Sequence, residues 1–264
     1  MPACKGVLLP ETMIKITDLH KAFGAKKVLQ GVDLSVVAGK TTTIFGLSGG
    51  GKSTIIKHIV GLLIADRGTI TVDGVTLDPG NASTLYAIRR KVGFLFQSGA
   101  LFDSMNVYQN IAFPLIEHTT LGAKEQEKKI ERALELVGLN PAEVIKLFPH
   151  ELSGGMRKRV GLARTIILDP KVILYDEPTS GLDPITSDRI SRMILHLQAE
   201  LGVTSVLISH DIKESFKCSD YIAMLYEGKI AAYGEAAEFE NSSNPIVKQF
   251  VDGSAEGPIR FTND

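Results

Sequence analysis

The run GLSGGGKST, residues 46–54, constrains the fold more than any other stretch of the chain. It fits the pattern of glycine, four residues, glycine, lysine, then serine or threonine. An apolar run, Thr41 to Phe45, precedes it, and behind it Ile55, Ile56, Ile59 and Val60 share one helical face before Gly61 can end the helix. A glycine-rich turn between a strand and a helix lets several amide hydrogens converge on phosphate oxygens, with the positive end of the helix dipole behind them. Gly46, Ser48, Gly49, Gly50, Gly51 and Thr54 are therefore candidates for the cradle of ATP. Lys52 is placed to bridge the β and γ phosphates, and Ser53 to ligate Mg2+. A plain glycine turn with a surface lysine is the alternative.

Three further apolar runs read as buried parallel strands: Val92 to Phe96, Val172 to Tyr175 and Ser205 to Ser209. Each ends in polar chemistry, at Gln97, at Asp176 and Glu177, and at His210. In open α/β sheets ligands bind beyond the carboxyl ends of strands, so the four runs predict one convergent site. Val32, Leu34 and Val36 alternate, and GTITVDG at 68–74 reads as a short strand and turn, which predicts an antiparallel layer near the N-terminus. The expected fold is α/β: a phosphate-loop core with a mostly parallel sheet, this N-terminal antiparallel layer, and an inserted helical subdomain at about 98–165. The core spans about 12–97 and 166–250, making one domain over 12–250, and 251–264 reads as a tail.

Within the insert Ile130, Leu134 and Val137 follow helical spacing up to Gly138, and Asn140 and Pro141 suit an N-cap and first helical position, with Glu143 three beyond the cap. A later helix starts after Asp183 and Pro184, carries Ile190, Ile194, Leu197 and Leu201 as its apolar stripe, and stops at Gly202.

VILYDEP, residues 172–178, puts two carboxylates at the end of a buried strand, where charge needs a partner. Solvated loop acids are one explanation. Beside a phosphate loop, the division of labour is that Asp176 holds the magnesium shell through water while Glu177 polarises the attacking water. His210, after SVLIS, either satisfies a turn or reaches the γ-phosphate and catalytic water, with Asp211 fixing its tautomer. Gln97 is a strand-end amide or a ligand that meets magnesium or water when ATP is present. His20, His118 and His196 read as ordinary satisfied histidines.

ELSGGMRKRVGLARTI at 151–166 places a Ser-Gly-Gly turn, Ser153 to Gly155, ahead of a helix with Val160, Ala163 and Ile167 on its apolar face. Its first turn holds Arg157, Lys158 and Arg159. Positive charge at a helix N-terminus opposes the dipole, which suggests a second anion site, and hence nucleotide shared between two subunits; a solvated basic face is the alternative.

The ordered set GLSGGGKST, Gln97, LSGGM, VILYDEP, SGLDP at 180–184 and His210 resembles the ATPase subunits of ATP-binding cassette (ABC) transporters over nearly the whole chain. The resemblance implies that Ser153, Gly154 and Gly155 of one copy cap the γ-phosphate held by Lys52 of the other, and that Ser180 to Asp183 sense the opposite site. It also implies that Phe23, in KAFGAKKVL, stacks on adenine; by the residues alone Phe23 fits a hydrophobic core equally well. Met156 stands where most members have glutamine, and Lys40 replaces an acidic residue often found there. LFDSMNVYQNIAFPLIEHT at 101–119, with GLDPIT, is similar to the ATPases of Mla phospholipid transport systems. That similarity implies a membrane permease, with a Mce-domain lipid-binding protein and a small regulatory subunit as further partners. Leu101, Phe102, Met105 and Val107 either line a groove for a permease helix or pack the insert.

Composition matters mainly for what it removes. Lys plus Arg number 29 against 30 for Asp plus Glu, so there is no basic footprint for nucleic acid. Cys4 and Cys218 fit neither a disulfide framework nor a zinc site, which points to a reducing cytoplasm. The most apolar stretch, 55–65, carries Lys57 and His58 and is far shorter than a membrane span, and the N-terminus lacks the features of a signal peptide. A peripheral place on the cytoplasmic face of the inner membrane, beside a separate membrane chain, is the expectation.

Overall fold

The computed structural model describes residues 11–259. Cys4 and the N-terminal stretch weighed above as a signal peptide lie outside the described residues, as do residues 260–264.

The antiparallel layer comprises β1 (Thr12–Phe23), β2 (Lys26–Val37), β4 (Arg67–Val72) and β5 (Val75–Thr76), in the order β2-β1-β4-β5. The second sheet has six strands, in the order β10-β9-β3-β8-β7-β6. Four are the apolar runs: β3 (Thr41–Gly46), β6 (Val92–Leu95), β7 (Val172–Asp176) and β8 (Thr204–Ile208), all mutually parallel. On the far side of β3 lie β9 (Tyr221–Tyr226), parallel to it, and β10 (Lys229–Glu235), which pairs antiparallel with β9. The sheet is mostly parallel, as the four apolar runs predict.

Pleating divides the buried strands between two cores. Val172 and Leu174 face α1 (Lys52–Ile59) and the antiparallel layer, packing with Ile55, Ile59, Ile16 and Leu34. Ile173 and Tyr175 face the opposite way, toward the helical elements. The link from β5 to β6 is α2 (Ala82–Lys91), whose N-cap Asn81 accepts from the Ser83 amide at 3.0 Å.

The insert holds α3 (Val107–His118), α4 (Ala123–Leu136), α5 (Pro141–Val144) and α6 (Gly154–Ile166). Ile130, Leu134 and Val137 are buried, Gly138 ends α4 at φ 65°, and Asn140 caps the amide of Ala142 at 3.2 Å. Val160, Ala163 and Ile167 join the same core as Ile173 and Tyr175, so α6 binds the insert to the sheet. After β7, α7 (Pro184–Leu201) begins at Asp183, which accepts from the Thr186 amide at 3.0 Å, and ends at Gly202, φ 62°. Ile190, Ile194 and Leu197 are buried as expected; Leu201 is not, being at the last turn where α7 leaves the core.

Two expectations are corrected. Val107 belongs to the core of the insert at 1 % exposure, because it opens α3 on the inward face, so it lines no groove. α8 (Ile212–Cys218), α9 (Ala236–Glu240) and α10 (Pro245–Asp252) cover the β9 side of the sheet, and the stretch read as a tail, 251–264, is in part folded with them: Val251 and Asp252 end α10, and Ile259 is buried in the same cluster. Lys40 gains an account as well. Its Nζ lies 3.0 Å from Asp220 Oδ1, while Asp220 Oδ2 accepts from the Thr41 amide at 2.8 Å, fastening the start of β3 to the start of β9.

Candidate functional site

The residues expected to act together meet at the carboxyl ends of β3, β6, β7 and β8. Gly46 ends β3 with φ 153° against β9, where a Cβ would lie 2.5 Å from the Leu225 carbonyl oxygen. Only glycine fits such an approach, and Gly46→Ala is expected to cost more than about 1 kcal/mol of stability, read as a lower urea midpoint with unchanged slope. Gly51, at φ 104°, is pressed by Val28 of β2, whose Cγ1 would lie 2.8 Å from a Cβ there. The antiparallel layer thus braces the loop from one side, and the Gly50 amide donating to Leu47 O at 3.1 Å closes its turn.

Lys52 is 4 % exposed, and its Nζ donates to the carbonyls of Gly46 and Leu47, each at 2.9 Å. Burial pulls its pKa below the ordinary value, with Glu177 and Asp176 opposing the shift. Next to it, Ser53 Oγ donates to Asp176 Oδ1 at 2.7 Å. A hydroxyl and a carboxylate are the hard oxygen donors that Mg2+ takes. Among the described residues no three His, Cys, Asp or Glu side chains gather as a metal cage, so such an ion would fill its shell with phosphate oxygens and water.

Glu177 follows β7 at φ 50°, a left-handed conformation that costs a non-glycine residue roughly 1 to 3 kcal/mol and that clusters at functional sites. Its amide is held by the Ile208 carbonyl at 3.0 Å. Both carboxylate oxygens are engaged: Gln97 Nε2 donates to Oε2 at 2.9 Å, and His210 Nε2 lies 2.6 Å from Oε1. Such a carboxylate has a fixed direction and can orient and deprotonate a water.

Some expected roles move. Gln97 Nε2 donates to Glu177 Oε2 and, at 3.0 Å, to Ser180 Oγ. Asp211 does not reach the His210 ring; it caps α8, accepting from the Glu214 amide at 3.1 Å. The three cations near the start of α6 are each paired with a backbone carbonyl. Arg157 donates to the Leu152 carbonyl at 3.0 Å, Arg159 to that of Gly138 at 2.9 Å, and Lys158 to that of Ser180 at 2.6 Å. These carbonyls take the charge that would otherwise oppose the dipole. Ser153 caps α6, its Oγ accepting from the Met156 amide at 3.2 Å, and with Gly154 and Gly155 borders a cleft shared with Gly181, Asp183 and Arg189. Phe23 is 48 % exposed at the β1–β2 hairpin, with Lys21 Nζ 5.5 Å from its ring centre, which excludes the core role.

Three residues escape sequence reasoning. Lys158 is a buried strut between α6 and the 177–180 loop, yet in sequence it is one of three consecutive cations. Asn110, fully buried in α3, accepts from the Phe102 amide at 2.8 Å and donates to the Met105 carbonyl at 2.9 Å. Arg164 of α6 donates to the carbonyls of Gly99 and Ala100 at 3.1 and 2.8 Å and packs its guanidinium on Phe102. Asn110 and Arg164 together staple the segment after Gln97 onto α3 and α6.

Known proteins resemble this chain along most of its length. Residues 29–180 match the family model described as ABC transporter. The chain is 42 % identical over 249 residues to the intermembrane phospholipid transport system ATP-binding protein MlaF of Escherichia coli K12, covering 94 % of this chain and 92 % of that protein. It is 41 % identical over 251 residues to the "Probable ribonucleotide transport ATP-binding protein mkl" of Mycobacterium leprae, covering 95 % and 72 %. Among solved structures, cbiO1 of Clostridium perfringens, part of the ABC transporter complex cbiONQ, superposes with a TM-score of 0.81 at 29 % identity over 90 % of this chain and 94 % of that one. A dimeric, post-hydrolysis ATP-binding cassette, MJ0796 with ADP and Pi, gives 0.77 at 29 % identity over 85 % and 99 %.

Proposed function

We propose that this chain, which belongs to the ABC transporter family, hydrolyses ATP at two sites formed between two copies of itself and thereby drives phospholipid movement through a separate membrane permease. The observation that carries the reading is Glu177, held at both oxygens by Gln97 and His210 beside the Ser53–Asp176 pair. Glu177 is the general base for the attacking water, His210 and Gln97 are its positioning residues, and Lys52 neutralises charge on the β and γ phosphates. Ser53, Gln97 and, through water, Asp176 would hold Mg2+, which would supply Lewis-acid stabilisation of the phosphates. Phe23 offers its open face to adenine.

The second copy enters because Ser153–Gly155 borders its own cleft, away from the contacts of the loop 46–54, so one chain supplies two halves of different sites. The dimeric state of the MJ0796 cassette supports this arrangement. Among the described residues no helix is long and apolar enough to cross a membrane; the permease of this reading is a separate chain. Phe102, with Leu101 and Met105, is the contact for its cytoplasmic helix: Phe102 is 43 % exposed and the segment is stapled to α3 and α6. The permease fixes the chain to the cytoplasmic face of the inner membrane, with a Mce-domain lipid-binding protein and a small regulatory subunit as further components.

Phospholipid is favoured over ribonucleotide because the match to MlaF spans 92 % of that protein, against 72 % for mkl. The test is reconstitution of the chain with its co-purified membrane partner in liposomes carrying fluorescent phospholipid. The expected result is turnover raised by the partner and lipid transfer that needs ATP. ATP-driven uptake of labelled ribonucleotide without lipid transfer would establish the other cargo, and stimulation by nucleic acid alone would remove the transporter reading.

A further inference from the structure

Behind the catalytic residues the C-terminal segment turns back on its own helix. Gln249 of α10 is 5 % exposed, and its side chain bonds entirely to backbone of the residues that follow it. Oε1 accepts from the Ile259 amide at 2.6 Å, and Nε2 donates to the carbonyls of Ser254 and Ile259, each at 3.2 Å. Gly257, at φ 152°, passes so close that a Cβ there would lie 2.3 Å from Gln249 Oε1. Tyr226 of β9 donates to the Pro258 carbonyl at 3.3 Å, and Ile259 is buried at 4 % exposure. A carboxamide that spends its donors and acceptor on a strap of main chain specifies that strap's path.

The strapped helix packs behind both the phosphate loop and the His210 turn. Phe250, the residue after Gln249, meets Phe45 with ring centres 5.5 Å apart, and Phe45 immediately precedes Gly46. Phe45 in turn meets Phe216 of α8 at 5.9 Å, and α8 starts directly after His210 and Asp211. Leu47 of the phosphate loop and Ile212 of α8 pack into this same cluster with Val251, and Val251 borders the cleft of about 560 Å³ that holds Glu177 and His210.

We propose that Gln249 is a positioning residue: by holding residues 254–259 against α10 it seats Phe250 and Val251 so that the phosphate loop and the His210 turn keep their mutual register. This rests on the ATPase reading for its catalytic consequence but not for its structural one.

Hydrogen exchange on the full chain tests it, comparing wild type with Gln249→Ala and Gly257→Val, which break the strap from opposite sides. In both variants exchange is expected to rise about fivefold or more, the equivalent of about 1 kcal/mol, in peptides covering 41–48 and 206–218. Peptides covering α4, in the other core, should be unchanged. The KM for ATP should rise by a similar factor, and the double variant should be no worse than either single one. A rise confined to 236–259, or an equal rise in α4, overturns the proposal, since the first is local fraying and the second general destabilisation. Should wild type fail to hydrolyse ATP, the enzymatic reading falls while the exchange pattern still decides the role of the strap.

Discussion

Glu177→Gln lowers ATP turnover by about 10²- to 10⁴-fold, the usual worth of a general base, and leaves ATP binding intact. The substitution keeps the size of the side chain but removes the group that accepts the proton. It also places an amide where Gln97 Nε2 now finds a carboxylate oxygen at 2.9 Å, so one of the two tethers becomes donor against donor unless an amide flips. Lys52, Ser53 and Asp176 are untouched, so the phosphates and the cation lose nothing. Phosphate release measured beside fluorescent nucleotide binding separates the two effects. Turnover within threefold of wild type would remove Glu177 from the role of base and return it to that of a strained turn residue.

The second large effect belongs to the Ser-Gly-Gly turn. Gly154→Asp should leave each chain folded and able to bind ATP at its own loop, while cutting turnover by about three orders of magnitude. A Cβ at Gly154 would make only an ordinary contact, 3.6 Å from Leu182 Cδ2, and an acid in the first turn of α6 agrees with the helix dipole. What the carboxylate cannot do is lie against a γ-phosphate, since like charges about 4 Å apart cost about 4 kcal/mol at an effective dielectric of 20. Light scattering makes the distinction. ATP should dimerise Glu177→Gln but not the variant that also carries Gly154→Asp; a dimer in both would mean that the turn of one copy does not close over the nucleotide of another.

Much of this site could be read from sequence because its parts sit at strand ends, where an apolar run stops at a reactive residue. That pattern puts Gly46, Gln97, Asp176, Glu177 and His210 at the ends of four apolar runs. The strands β1 and β9 are absent from those expectations, although Ile14 and Ile16 alternate with Lys15 and Thr17, and YIAML is an apolar run of the same kind as the others. What periodicity cannot convey is which polar atom a long side chain reaches. Arg157, Lys158 and Arg159 read as a cationic cluster because each carbonyl partner lies 5 to 22 residues away along the chain. Asp211 was assigned to its neighbour His210 on adjacency alone, while the backbone turned its carboxylate toward the amides of the next helix. Gln249 had no signal, since its partners are main-chain atoms and any sequence supplies those.

Arg164 and Asn110 lie between the segment after Gln97 and the helix that bears the Ser-Gly-Gly turn, and they leave little slack. A partner that pushes on Phe102 pushes on α6 through two carbonyl bonds and a stacked guanidinium, and α6 reaches the 177–180 loop through Lys158. In the proposed transporter, the path from Phe102 to the 177–180 loop therefore runs through Arg164 and Lys158 of one helix. For the proposed permease contact, bonds of this kind carry load in both directions, so a hold on Phe102 is felt at the 177–180 loop.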